Sequence, residues 1–168
     1  MWHKLLVPHD FSACAARALE TAVELAKVHG AELALVHVSE LPANLPPETL
    51  ISPVDAPGPL RVDDYTTRGA RQQLEELAEP LRRQGLTVRT FAVLGDVAEQ
   101  LLALSYELGA EAIVVGTHGR KGLSHLLLGS VAEKVVRGAT IPVVCVRTNV
   151  PETRSTRQEI DVEAELAG

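Results

Sequence analysis

Short continuous apolar runs alternate with amphipathic stretches that end on glycine, and this alternation constrains the fold more than any other feature of the chain. The first run is Leu5, Leu6 and Val7, stopped by Pro8 and Asp10, the pattern of a strand buried on both faces. A helix follows over residues 13–29. Ala15, Leu19, Ala22, Val23 and Ala26 share one of its faces, Ser12 stands at the N-cap position and Gly30 stops it. Residues 33–38 form the second run, and residues 86–93, with Val88, Phe91 and Val93, the third. The helix between them shows Ala70, Leu74, Leu77 and Leu81 on one face and closes at Gly85. The next helix repeats the pattern with Val97, Leu101, Leu104 and Leu108, opened by the capping pair Asp96 and Glu99 and closed by Gly109. A fourth strand over 112–115, a helix from Ser130 to about Arg137 ended by Gly138, and a fifth strand over 142–147 complete the series.

Strands alternating with helices bury a parallel sheet under helices on both faces. The expected fold class is therefore α/β: a single-domain, doubly wound, Rossmann-like open sheet of five strands. A length of 168 residues suits one such domain, and 46% hydrophobic residues supply its core. The domain is expected over residues 1–148. Within it, residues 39–62 hold Pro42, Pro46, Pro47, Pro53, Pro57 and Pro59 and should form an irregular loop. Residues 149–168 have few apolar anchors and many charges and are expected to be a flexible tail.

Sixteen Lys and Arg against 22 Asp and Glu give a net charge of −6, which opposes a grip on a phosphate backbone. Aromatic residues at 3% leave few platforms for stacking bases, so nucleic acid is not an expected partner. The amino terminus lacks the apolar core of a secretory signal and no stretch approaches the ~18 apolar residues of a membrane span. No membrane partner and a cytoplasmic location are expected. Cys14 and Cys145 form no CxxC pair, which fits a reducing compartment.

Ligands of open parallel sheets sit outside the carboxyl ends of the strands, where the strand order reverses. After the first strand the chain reads Pro8-His9-Asp10-Phe11-Ser12; after the fourth it reads Gly116-Thr117-His118-Gly119-Arg120-Lys121-Gly122 and runs on to Gly129-Ser130-Val131. Glycines there suit a backbone that turns sharply and lets a ligand approach, and a helix starting at Ser130 offers free amides and a positive dipole end to a phosphate. Arg120 and Lys121 add cations in an acidic chain. Such a glycine and Ser/Thr spacing arises by chance in below about 1% of chains of this length. Two readings of Ser130 stand: a phosphate donor, or the N-cap of a capping box with Glu133. Asp10 likewise is either a ribose acceptor or a local cap of the first helix. Glu133 beside a phosphate costs attraction, which Mg²⁺ or the loop's cations would offset.

These motifs resemble the universal stress protein family, in its ATP-binding subclass. The subclass pattern G-x2-G-x9-G-[ST] is matched by Gly116, Gly119, Gly129 and Ser130, and the opening Leu5 to Ser12 is similar to the family's start, an apolar strand followed by an Asp and a Ser. Leu35-Val36-His37-Val38 and Ile113-Val114-Val115-Gly116 resemble its second and fourth strands, so the similarity covers residues 4–147. The resemblance implies a sheet in the order 3-2-1-4-5 and an adenine nucleotide, ATP with Mg²⁺, as ligand. It implies that Pro8, Asp10 and Val38 border the adenine and ribose. Val115, Gly116, His118 and Gly119 would line the ribose and first phosphates, and Gly129, Ser130 and Val131 the outer phosphates, with His9 and Arg120 in the same site. It further implies a homodimer through the last strand, Val143, Val144, Cys145, Val146 and Arg147. An apolar edge strand agrees independently, because such an edge is normally covered. The family's acidic residue opening the fourth strand is shifted by one place here, to Glu111.

His9, His37 and His118 all fall near strand carboxyl ends, but no HxxxH or HExxH spacing supports a protein metal site, and none is expected. His37, between two valines, reads as a hydrogen-bonded interior residue, and both cysteines as ordinary buried residues. The expected function is an ATP-binding regulator, a nucleotide-dependent switch acting on an unknown protein partner. No residue stands out as a hydrolytic base, so any ATP hydrolysis should be slow and the chain is not expected to be an enzyme. Two alternatives differ in class. An ATP-dependent ligase or nucleotidyl transferase needs a further substrate domain and a pyrophosphate loop. A dimeric stress module without nucleotide would not need the glycine spacing.

Overall fold

The computed structural model, described for residues 1–41, 45–54, 57–117 and 129–147, turns each apolar run into a strand. The order is β1 (Lys4–Pro8), α1 (Ala13–His29), β2 (Glu32–Ser39), β3 (Leu50–Ile51), β4 (Leu60–Arg61), α2 (Val62–Arg83), β5 (Val88–Leu94), α3 (Val97–Glu107), β6 (Ala112–Gly116), α4 (Ser130–Gly138) and β7 (Val143–Val146). Five strands make one parallel sheet, β5-β2-β1-β6-β7, which is the expected 3-2-1-4-5 order once β3 and β4 are set aside.

Period-two alternation builds two cores from the same strands. Leu5 and Val7 of β1, Leu33 and Leu35 of β2, and Ala112 and Val114 of β6 pack with α1 and α2. Their neighbours Leu6, Ala34, Val36, Ile113 and Val115 pack on the other face with α3 and α4. Leu5, Leu6, Leu33, Leu35 and Ile113 are fully buried, so the central strands have apolar layers on both sides, as continuous runs require. The caps form where the chain chemistry puts them. The Ser12 Oγ accepts the Ala15 amide, an Asp96 oxygen accepts the Glu99 amide, and Gly30, Gly85 and Gly109 follow their helices in left-handed conformation with φ of 69°, 88° and 62°.

Three details differ from the sequence reading. The proline-rich stretch is not wholly irregular: Leu50 and Ile51 pair antiparallel with Arg61 and Leu60, and α2 begins at once from Val62. Gly138 does not stop α4 but is its last residue, with Ala139 as the C-cap. A Cβ at Gly138 would lie 2.6 Å from Leu102 Cδ1, so glycine lets α4 close on α3. Cys145 is exposed rather than buried, because among the described strands β7 lies at the edge and pairs with β6 alone. The tail over 149–168 lies outside the described residues.

Candidate functional site

The five strands of the main sheet all point the same way, so the turns after β1, β2 and β6 gather at one end of it. The order reverses between β1 and β6: from β1 the chain crosses by α1 to β2 on one side, while β6 lies on the other. Two packing facts close the gap between them. Cys14, in the first turn of α1, sits over Gly116, where a Cβ would lie 2.8 Å from the Cys14 Sγ and 3.0 Å from its carbonyl oxygen. The same Sγ donates to the Val146 carbonyl at 3.7 Å. Gly116 is thus needed for helix-to-strand contact, whatever else approaches it.

The turn after β1 is held tightly. The His9 amide extends the ladder to the Val36 carbonyl at 2.8 Å. The Ser12 amide donates to Asp10 Oδ1 at 3.0 Å, and the Ser12 hydroxyl oxygen then accepts the Ala15 amide at 3.2 Å. Ser12, not Asp10, is therefore the cap of α1, and Asp10 braces the turn from the side. Phe11 has φ of 63°, a conformation that aromatic residues rarely adopt.

At β6 the chain continues into Thr117, which is 1% exposed and whose amide donates to the Val146 carbonyl at 2.9 Å. The Thr117 carbonyl accepts the Gly129 amide at 2.7 Å. The end of β6 and the start of α4 are thereby pinned together. His118, Gly119 and Arg120 lie outside the described residues, as do Lys121 and Gly122.

The start of α4 excludes the capping-box reading of Ser130. Gly129 is the N-cap, and no side-chain cap is made among the described residues. Ser130 is the first helical residue and is exposed, and Glu133 accepts Arg137 Nη2 at 2.7 Å instead of reaching back. The capping box is not made, because the register of the helix starts one residue too early for it. The Glu133 amide donates to the Gly129 carbonyl, so the amides of Ser130, Val131 and Ala132 have no carbonyl within the helix to bind. These three donors face the carboxyl end of the sheet with the positive end of the helix dipole.

Around this point, Val38, Val115 and Val131 belong to a single apolar cluster on the α3 and α4 face, and Pro8 and Asp10 end β1 half-buried. His9 is 5% exposed, and its ring meets Phe11, which also lies against His37 and packs on the α1 and α2 side of the sheet. A cavity of about 380 Å³ opens beyond the ends of β2 and β5, lined by Glu40, Leu41, Pro47, Leu94, Gly95 and Asp96. The Glu99 amide and Lys134, whose Nζ lies 3.3 Å from Asp96 Oδ2, hold the Asp96 carboxyl below the usual range. No cluster of three metal-binding side chains occurs among the described residues. Partial burial pushes the Cys145 thiol up, so it is not a ready thiolate. Glu111, the displaced acidic residue, bonds His3 at the far end of the sheet. Thr117 carried no signal in the sequence, nor did the conformation of Phe11.

A doubly wound parallel sheet with an uncapped helix N-terminus tied to its switch point defines a Rossmann-like α/β class. The universal stress protein family model matches residues 1–147, and the chain belongs to that family. Universal stress protein YxiE of Bacillus subtilis is 33% identical over 155 residues, covering 88% of this chain and all of that protein. Universal stress protein MJ0577 of Methanocaldococcus jannaschii is 27% identical, covering 88% of this chain and 96% of the relative. Its solved structure superposes with a TM-score of 0.72 at 25% identity, over 90% of this chain and 99% of that one. A universal stress protein from Archaeoglobus fulgidus in complex with dAMP shares the fold, with a TM-score of 0.60 at 23% identity, over 86% of this chain and 97% of that one. No described helix is long and apolar enough to cross a membrane.

Proposed function

We propose that this chain binds ATP, accompanied by Mg²⁺, across the carboxyl ends of β1, β2 and β6, and works as a nucleotide-dependent switch for a protein partner. The observation that carries the reading is the start of α4: three amides without acceptors in their helix, an exposed Ser130 hydroxyl freed from capping, and a glycine N-cap that leaves the approach open. A phosphate chain satisfies all of these at once. Asp10 at the end of β1 then takes the ribose hydroxyls, and Val38, Val115 and Pro8 supply the apolar walls for the sugar and base. His118, Gly119 and Arg120 extend the phosphate contacts. That a protein of this fold has been solved in complex with dAMP is consistent with an adenine nucleotide as the ligand.

The same geometry argues for binding without fast chemistry. Glu133, the carboxylate in the first turn of α4, is paired with Arg137 and is not poised to activate a water. The edge strand β7, with Cys145 exposed, is proposed as the seam of a homodimer. The direct test is mass analysis of small molecules released from purified protein, followed by calorimetric titration with ATP and Mg²⁺. An adenine nucleotide in the released fraction and saturable binding are expected; a protein that releases none and shows no heat with ATP overturns the reading. Turnover under excess ATP should stay far below the ~1–100 s⁻¹ of dedicated phosphotransferases.

A further inference from the structure

Asp10 lies between two residues that are each held in place by histidine chemistry. His9 is fastened at three points. Its amide donates to the Val36 carbonyl, its carbonyl accepts His37 Nδ1–H at 2.7 Å, and its own Nδ1 accepts the Phe11 amide at 3.1 Å. A carbonyl and an amide have fixed roles, so both imidazoles have fixed tautomers: His37 carries its proton on Nδ1, and His9 must be bare there and carries its proton on Nε2. The His9 Nε2 is buried with no hydrogen-bond partner among the described residues. The Phe11 ring lies against both imidazoles, with centroids 5.2 Å from His9 and 4.8 Å from His37. Nothing in the residue type favours φ of 63° at Phe11; the surrounding bonds impose it.

We propose that His9 is a positioning residue for nucleotide binding: its unprotonated Nδ1 holds the left-handed turn at Phe11 and so sets the Asp10 carboxylate that takes the sugar. Protonating Nδ1 places two N–H donors face to face, His9 Nδ1–H against the Phe11 amide, and the turn loses its brace. Nucleotide affinity is then coupled to the charge state of the His9 ring, which acts through the turn at Phe11. Burial pushes the His9 pKa below its ordinary value and outweighs Asp10, which favours protonation, while His37 adds to the lowering. This role rests on the nucleotide reading above.

The test uses the full chain and calorimetric titration with ATP and Mg²⁺ from about pH 7.5 down to about 5.5, across the histidine range. Three proteins are compared: wild type, H9N and H9L. The Asn side-chain oxygen stands close to where Nδ1 stood and accepts the Phe11 amide but does not titrate, whereas Leu accepts nothing. H9L should bind about five- to tenfold more weakly than wild type at the upper pH, the loss of one hydrogen bond. H9N should regain most of that affinity, and its binding should fall less with acid than that of wild type. The phosphates of ATP titrate equally in all three, so the difference between H9N and wild type isolates His9. Nitrogen-15 spectra of histidine-labelled protein should show the Nε2–H tautomer of His9 at the upper pH. An Nδ1–H tautomer, or H9N and wild type with the same acid dependence, overturns the positioning role while leaving nucleotide binding intact. A wild-type protein that takes no ATP at any pH sinks the parent reading and this one with it.

Discussion

Gly129→Val separates the ligand-binding reading from a purely structural one. At Gly129 the backbone has φ of −58° and ψ of 149°, a conformation open to every L-residue, so glycine is not there to relieve strain. Its amide is already used, donating to the Thr117 carbonyl at 2.7 Å, and a valine keeps that bond. What valine adds is a branched side chain at the mouth of the Ser130, Val131 and Ala132 amides. Charge-assisted hydrogen bonds of this kind contribute about 1.5–3 kcal/mol each, so denying a phosphate two of them costs about 3–6 kcal/mol. That corresponds to roughly two to four powers of ten in Kd. The folded state should hardly notice. Replacing a glycine in a compatible conformation gains about 0.4–1 kcal/mol through the unfolded chain, and valine as an N-cap gives back a similar amount. Titration calorimetry with ATP and Mg²⁺, beside thermal unfolding, reads both quantities. Gly129→Ala should lie between valine and wild type. A folded G129V protein with undiminished ATP affinity would refute the argument, because the phosphates then cannot lie on α4.

Other expectations test the frame around the site. Gly116→Ala should destabilise by about 1–3 kcal/mol, since its Cβ would be 2.8 Å from Cys14 Sγ; the cost should shrink in a C14A background without vanishing, as the Cys14 carbonyl oxygen stays at 3.0 Å. Equal costs in both backgrounds, read by denaturant unfolding, would locate the strain elsewhere. Ser12→Ala removes the acceptor of the Ala15 amide and should cost about 1 kcal/mol, a fall of roughly 2–4 °C in Tm. For acid stability, burial lowers the His9 pKa from its ordinary 6.5, so the unfolded chain binds more protons than the native one below that value. The His9 contribution is complete above about pH 6.5 and is lost as pH falls through it. Unfolding curves of wild type and H9N should therefore converge toward acid in that window. Glu75, Asp96 and Glu111, all held low by their partners, act only further down, as pH falls through the carboxylate range.

The sheet was legible because each of its strands repeats one physical demand. Leu5, Leu6 and Val7 cannot be half-exposed without leaving apolar surface in water, so helices must cover both faces, and parallel strands follow from the crossovers that such helices make. Helix ends were legible where a single side chain or a single φ decides them, as at Ser12, Asp96, Gly30 and Gly109. The β3–β4 pairing was not: each strand is two residues long, and in a stretch with so many prolines no period can be read from so short a run. Cys145 misled because an apolar run states what a strand would bury, not whether it has a neighbour on both sides.

For the candidate site, the sequence spacing marks segments but not what holds each residue in them. Gly116 and Gly129 belong to one spacing and look alike in the sequence, yet they answer different needs. Gly116 is enforced from within, by the first turn of α1 pressing on β6 through Cys14. Gly129 has no such demand in its own dihedral angles and stands before amides with no helical acceptor, the place where the proposed phosphate would approach. Ser130 divides in the same way: one residue of helix register, invisible in the sequence, turns a capping box into an exposed hydroxyl with its Glu133 partner drawn off to Arg137. The histidines show the limit most clearly. His9 and Phe11 are ordinary letters after an apolar strand, and only the direction of three hydrogen bonds fixes which nitrogen holds the proton and ties that choice to Asp10.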